Sequence, residues 1–458
     1  MTTATTTPVS RTNSTAATTP TTAKIFGGLD ETEVLARLRA VSALAEDGSV
    51  EEACDVFSRA AWSGISEPGD RIAGILIAAL GASGALDLLI GRSSAATIVG
   101  LMEASEKGLS LGVTFDGEFL HAVTAGLERW SPRLNAHEAL AHLERAARFD
   151  TTLLTPTHEL WPEGINDLGF HAPHVLWVRG TPQLLATLST SIALVGARAS
   201  TGYGEHVTME AAAGLVDRGV TVVSGAAYGI DGMAHRSALA SGGTTIAFLA
   251  GGVDRFYPSG HDALLHRIVA SGAVVSELPC GSSPTKWRFL QRNRLIAAAS
   301  AATVVIEAGW RSGSLNTAGH ASALGRPLGV VPGPVTSASS AGCHRLLRET
   351  DAILVTNAVE MVELISLEVL PARDGGGNSA RGNSVRGDTE IPETPEERRV
   401  FDALSARTAR SIDDVARRAG LSIAQAQSAL GLCLVAGRAT AGEKGWRRLN
   451  AAPVESPV

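Results

Sequence analysis

The sequence predicts an α/β protein built on a doubly wound, Rossmann-like, mostly parallel sheet, flanked by an N-terminal helical domain and a C-terminal winged helix. Three observations predict it. Seven short apolar runs without polar alternation lie between residues 191 and 356, separated by helical spacers; such runs suit strands covered on both faces. Residues 25–150 carry apolar positions at helical spacing. Residues 394–450 read as three capped helices followed by two short strands.

In chain order, residues 1–24 are almost entirely Thr, Ala, Ser and Pro, a composition too poor in apolar mass to order itself, so a disordered tail is expected. Over 25–150, Leu35, Leu38, Val41 and Leu44 approximate a helical stripe. Residues 24–150 hold 11 basic and 19 acidic side chains, more than the whole negative excess of a chain whose net charge is −7. So acidic a surface is a poor phosphate binder, and the segment reads as a helical accessory domain.

The sheet domain is expected over 151–366. Its strands are predicted at 191–195, 220–223, 244–249, 273–275, 302–306, 328–331 and 352–355, with the spacers as right-handed crossovers. Residues 367–393, rich in Gly, Ser and Asn, read as a flexible linker. In the tail, Ser411 caps a second helix that Gly420 ends, Ser422 opens a third, and Gly437 and Gly442 punctuate a strand pair. That domain is only mildly basic, thin for duplex-groove binding, so protein contact stands as its alternative role.

Composition excludes further classes. With 458 residues, 45% hydrophobic and 19% charged, the chain can bury more than one core. Its Lys+Arg 39 against Asp+Glu 46 argues against an evenly basic nucleic-acid coat. Cys54, Cys280, Cys343 and Cys433 form no C-x-x-C pair, so neither a disulfide framework nor a zinc knuckle is expected. Neither an eighteen-residue apolar run nor a signal-peptide core is read, and a cytoplasmic setting is expected.

Ligands of an open parallel sheet sit where strands end and helices begin. There this sequence places Gly196 to Ser200, the 224–231 segment with Ser224, Gly225, Gly229 and Asp231, then Gly251-Gly252, then Glu307 to Thr317, then Pro332-Gly333-Pro334. Any one cluster alone reads as a βα turn; five on one edge suit an anion, most simply phosphate. No G-x-G-x-x-G follows the first strand and no P-loop pattern occurs, so no nucleotide cofactor is expected.

Between Glu277 and Glu307 there is no acidic side chain, yet Lys286, Arg288, Arg292 and Arg294 fall within nine residues, with Trp287 and Phe289 interleaved. Cations for phosphates and rings for bases describe a single-strand binding surface; the bland alternative is a solvated helix face with two core aromatics. Lys286 and Arg288 read as exposed. Of Arg292 and Arg294, pointing different ways, one is expected to meet a ligand while the other braces a strand end. His235, four residues after Asp231, reads as a packing residue, His261 and His266 lack metal spacing, and no nucleophile or metal site is expected.

Taken in order, Val195-Gly196-Ala197-Arg198, Ser224-Gly-x-x-x-Gly229-Ile230-Asp231-x-x-Ala234-His235, Tyr257-Pro258, Ser276-Glu277, Arg292-Asn293-Arg294, Glu307-Ala308, Ser312-Gly313-Ser314-Leu-x-Thr317-Ala318 and Gly325-Arg326 followed by Val331-Pro332-Gly333 resemble the DNA-processing protein A family. The resemblance covers roughly 155–360 and departs from the family's habit at Ala197, Leu290 and His344. It implies a non-enzymatic, dimeric protein that binds single-stranded DNA during natural transformation, loads the RecA recombinase and displaces single-strand binding protein. By motif it implies a DNA groove lined by Gly196, Arg198, Ser224, Gly225, Gly229, Asp231, Lys286, Arg288, Arg292, Asn293, Arg294, Ser312, Gly313, Ser314 and Thr317. Two rivals remain: a nucleotide phosphoribohydrolase using Glu307 or Asp231, and a duplex-DNA regulator acting through the winged helix.

Overall fold

The structure, a computed structural model, describes residues 29–42, 49–367, 394–442 and 445–449. The expected tail at 1–24 and nearly all of the expected linker at 367–393 lie outside them.

Among the described residues the N-terminal domain has eight helices: α1 (Glu31–Arg39), α2 (Val50–Ile65), α3 (Arg71–Leu80), α4 (Ala82–Ile90), α5 (Ala95–Ala104), α6 (Glu106–Ser110), α7 (Gly117–Trp130) and α8 (Ala136–Arg148). Asp70 shows how local chemistry starts an element and then ties it down. One carboxylate oxygen caps α3 by accepting from the Ile72 amide at 3.1 Å, and the other accepts from the Trp130 indole at 3.0 Å. Trp130 meets Trp62 edge to face, centroids 5.3 Å apart, in the centre of the helical core. The domain is also joined to the sheet. Val34 and Leu38 of α1, Phe57 of α2 and Leu143 of α8 share one core with Leu153, Trp177 and Val274.

The sheet has nine strands: β1 (Thr151–Leu154), β2 (Leu176–Gly180), β3 (Ile192–Gly196), β4 (Val222–Ser224), β5 (Thr245–Phe248), β6 (Ala273–Ser276), β7 (Ala302–Glu307), β8 (Leu328–Val330) and β9 (Ile353–Leu354). Their order is β1-β2-β6-β5-β4-β3-β7-β8-β9. All seven predicted strands are present, and from β6 to β9 every pairing is parallel. Two strands were not anticipated: β1 and β2 extend one edge antiparallel, with Trp177 opposite Ser276.

Helices cover both faces, as continuous apolar strands require. On one face lie α9 (Gly202–Val216), α10 (Ile230–Ala240) and α15 (Ala358–Leu367), packed on β3, β4 and β7; α11 (Asp262–Ser271) covers β6 beside the helical domain. On the other face lie α12 (Lys286–Ala299), α13 (Ser314–Ala323) and α14 (Ala341–Glu349). The winding reverses at β3, which has β4 on one side and β7 on the other. A crevice therefore opens at the carboxyl ends of β3, β4 and β7, where the connections diverge to opposite sides.

The winged helix comprises α16 (Pro395–Ala403), α17 (Ile412–Ala419), α18 (Ile423–Val435), β10 (Ala439–Gly442) and β11 (Gly445–Arg448). Its punctuation follows the sequence. Ser411 accepts from the Asp414 amide, Gly420 ends α17 at φ 62°, and Ser422 forms a reciprocal capping box with Gln425. Among the described residues no single helix is long and apolar enough to cross a membrane, and all four cysteines are buried free thiols.

Candidate nucleic-acid interface

The crevice is shaped by groups that hold one another. At the end of β7, the Glu307 carboxylate accepts from the Thr201 amide at 2.9 Å and the Thr201 hydroxyl at 2.8 Å, so it already occupies the start of α9. A Cβ on Gly204 would clash with that carboxylate. In the next loop, Asp231 is buried and accepts from the Gly225 amide at 3.2 Å. Burial raises its carboxyl, partly offset by the facing Arg292 guanidinium. An anion at these strand ends would need the backbone amides of the glycine-rich segments free to receive it. Instead, internal carboxylates fill the Thr201 and Gly225 amides. Glu307 and Asp231, the two carboxylates of the phosphoribohydrolase reading, are thus both buried and hydrogen-bonded within the protein.

The remaining predicted residues serve the same framework. Ser224 donates to Leu194 O at 2.6 Å, while Gly229, at φ 75°, leaves no room for a Cβ beside Ala197 O. Asn293 spans from α12 to the loop after β7, donating to Gly313 O and Asn316 Oδ1 at 3.3 Å. Ser312 and Ser314 share a 2.8 Å hydrogen bond, and Ser314 and Thr317 are buried. Gly196 lies against Ile230, and Gly313 sits exposed at the tip of its loop.

The basic stretch divides in a way local charge counting does not anticipate. Arg294 is 3% exposed; its two terminal nitrogens each contact Glu277 at 2.6 Å, and it also donates to His171 O. It is a brace and not a phosphate ligand. Arg288, expected to be exposed, lies in the first turn of α12 and pairs with half-buried Glu67 of the helical domain at 2.9 and 3.1 Å. Arg292 is 4% exposed and donates to the carbonyls of Gly225 and Phe248. Burial lowers its guanidinium to about 10, so it still carries charge at neutral pH. Of the expected phosphate partners, Arg198 and Lys286 are exposed, the latter at the start of α12.

Beside them lies a feature the sequence reading missed. The chain has three tyrosines, and all are exposed beyond the ends of parallel strands: Tyr203 after β3, Tyr228 after β4 and Tyr257 after β5. Trp310, after β7, is 58% exposed. The Arg198 guanidinium lies over the Phe289 ring, 4.9 Å from its centroid, and the Tyr257 ring packs against Phe289 in a tilted pair with centroids 5.6 Å apart. Arg345 similarly covers Trp310 at 4.8 Å. Their signal in the sequence was position: each follows a predicted strand in a chain that is only 4% aromatic.

These elements define a Rossmann-like α/β protein with an aromatic, arginine-bearing switch point and an attached winged helix. The profile of the DNA recombination-mediator protein A family matches residues 152–366, and that of the DprA winged helix domain matches 386–441. A putative DNA processing protein DprA of Mycobacterium tuberculosis is 45% identical over 330 residues, covering 70% of this chain and 82% of that one. Protein Smf of Escherichia coli is 33% identical, covering 70% and 83%. The crystal structure of DNA processing protein A from Streptococcus pneumoniae superposes with a TM-score of 0.46 at 32% identity, covering 54% of this chain and 89% of that one. A Helicobacter pylori protein described by its single-stranded DNA binding mode gives 0.44 at 29%, covering 48% and 97%. The chain belongs to the DNA processing protein A family.

Proposed function

We propose that this protein binds single-stranded DNA along the rim at the carboxyl ends of β3, β4, β5 and β7. In this reading it acts as a non-catalytic, cytoplasmic recombination mediator in natural transformation, working as a dimer, loading RecA and displacing single-strand binding protein. One observation carries the binding reading: exposed Arg198 lies over Phe289 with Tyr257 alongside. A guanidinium for phosphate and ring faces for bases are the two things a sequence-tolerant single-strand site needs. Lys286 and the Ser312-Gly313 loop extend the charged and polar edge, while Tyr203, Tyr228 and Trp310 extend the stacking edge. Membership of a DNA-processing family supports the same reading.

The duplex-regulator alternative is weakened by charge placement. The helix that would enter a major groove, α18 (Ile423–Val435), carries no charged side chain. Gel shifts of matched single- and double-stranded oligonucleotides test the proposal. Tight single-strand binding with weaker duplex binding supports it, and equal or stronger duplex binding overturns it. Incubation with AMP tests the absence of catalysis; release of free adenine would revive the hydrolase.

A further inference from the structure

Behind the rim, all three domains enclose a cleft of about 920 Å³. Eight of its lining residues are arginines and two, Glu138 and Asp402, are carboxylates. The helical domain contributes Arg133 and Arg145, the sheet domain Arg288, and the winged helix Arg407, Arg410, Arg417, Arg418 and Arg448. Such crowding costs Coulomb energy unless anions intervene, and those supplied by the protein do not suffice. Asp414 alone serves Arg417 at 2.7 Å, Arg418 at 2.8 Å and Arg410 at 3.8 Å. Glu67 is shared by Arg288 and Arg133. Counting Asp414 and Glu67 with the lining carboxylates still leaves arginines in excess, in a chain that is negative overall.

Placement indicates what the cleft takes. The winged helix turns its basic loop, the end of α17 and β11 into this cleft, leaving α18 uncharged. Ser283, Thr285 and Arg288 line the cleft, and Thr285 caps the start of α12. Phe289, the next residue of that helix, lies under Arg198 at the rim. Rim and cleft therefore meet within one helical turn. Guanidiniums in number, lining a cleft that shares the first turn of α12 with the rim, match a phosphodiester backbone.

We propose that the interdomain cleft is a second phosphate-binding tract for the same single DNA strand that occupies the rim. This inference rests on the single-strand reading above, and it adds a site in which the winged helix grips backbone without reading a duplex. A short strand fills the rim alone; a longer one continues past the start of α12 into the cleft.

The test is fluorescence anisotropy of the full chain with oligothymidylates of two lengths, one near the small end of known single-strand site sizes, about 6 nucleotides, and one of about 20. The cleft variant is Arg407→Ala/Arg418→Ala, at two exposed positions. The proposal expects the variant to lose tenfold or more in affinity for the long strand and to show a shallower salt slope, by about 1.4 for two contacts. Its affinity for the short strand should be unchanged. Unchanged long-strand binding, or equal loss at both lengths, overturns the tract while leaving rim binding measured by the short strand. Loss confined to a duplex oligonucleotide overturns it in favour of a duplex site. Failure of the unaltered protein to bind either strand removes the rim reading and this one with it.

Discussion

Glu67, in the loop after α2, and Arg288, in the first turn of α12, form a partly buried ion pair across the domain boundary, with contacts of 2.9 and 3.1 Å. Burial alone would raise the Glu67 carboxyl, but Arg288 and Arg133, with Arg399 of the winged helix behind them, hold it well below the usual carboxylate range. The first turn of α12 contains no acidic residue, so the positive end of that helix takes its anions from elsewhere. Glu67 arrives from the helical domain, and Asp402 of the winged helix accepts from the Trp287 amide at 3.2 Å. Arg133 also donates to Arg417 O at the end of α17. One helix start thus gathers three domains.

Removing Glu67 should separate them. Glu67→Ala leaves the partly buried Arg288 and Arg133 without their carboxylate, which costs up to about 3 kcal/mol, the low end for a buried pair. Calorimetry should show a lowered melting temperature or a split transition as the domains uncouple. A single, unshifted transition would mean the pair contributes nothing to docking.

Arg294 and Arg198, both in the sequence motifs, should behave oppositely. Arg294→Ala strands Glu277 in the interior and should cost about 3–5 kcal/mol of stability. Arg198→Ala touches a surface position and should stay within about 0.5 kcal/mol while weakening single-strand binding. Thermal melts paired with anisotropy separate the two; equal stability losses would contradict the assignment.

Exposed rings on the rim should act through stacking. Tyr257→Ala and Tyr228→Ala should each weaken binding by about 1–3 kcal/mol, similarly across unrelated base sequences. Tyr257→Phe should retain most of the affinity. Loss on one sequence only, or loss in the phenylalanine variant equal to that in the alanine one, would point to hydrogen-bond readout.

Acid should destabilise the fold before carboxylates titrate. Burial lowers His142 and His174 to about 4 and His235 to about 3, from an ordinary 6.5. The unfolded chain therefore binds more protons than the folded one between about pH 6.5 and 4, and stability falls as pH drops through that window. Below it, protonation of Glu67 acts in the same direction. Denaturant midpoints at pH 7.5 and 5 should differ accordingly. A flat profile would indicate that these imidazoles are solvated.

The parallel strands were legible because each is a short apolar run buried on both faces, as in Ala302–Glu307, where every residue is buried. The capped helices of the tail were legible because their signals are local: Ser411 and Gly420 act within one or two turns. Strands β1 and β2 were missed because β2 is held by its pairing with β6, about a hundred residues away. The arginines were misjudged for the same reason. A window around Arg288 is free of acid, but its partner Glu67 lies 221 residues away. Local charge reports what a helix lacks; tertiary structure decides what fills the lack. Tyr203, Tyr228 and Tyr257 have no pattern in common except their place after a strand, visible only once the strands share one sheet.

The most direct test is a salt titration of single-strand binding by the full chain and by Arg198→Ala. A rim that neutralises phosphates predicts affinity falling steeply with salt, at a slope of about −0.7 per phosphate engaged, and a slope shallower by about 0.7 in the variant. Affinity indifferent to salt, or a variant whose slope matches that of the unaltered protein, would contradict the account.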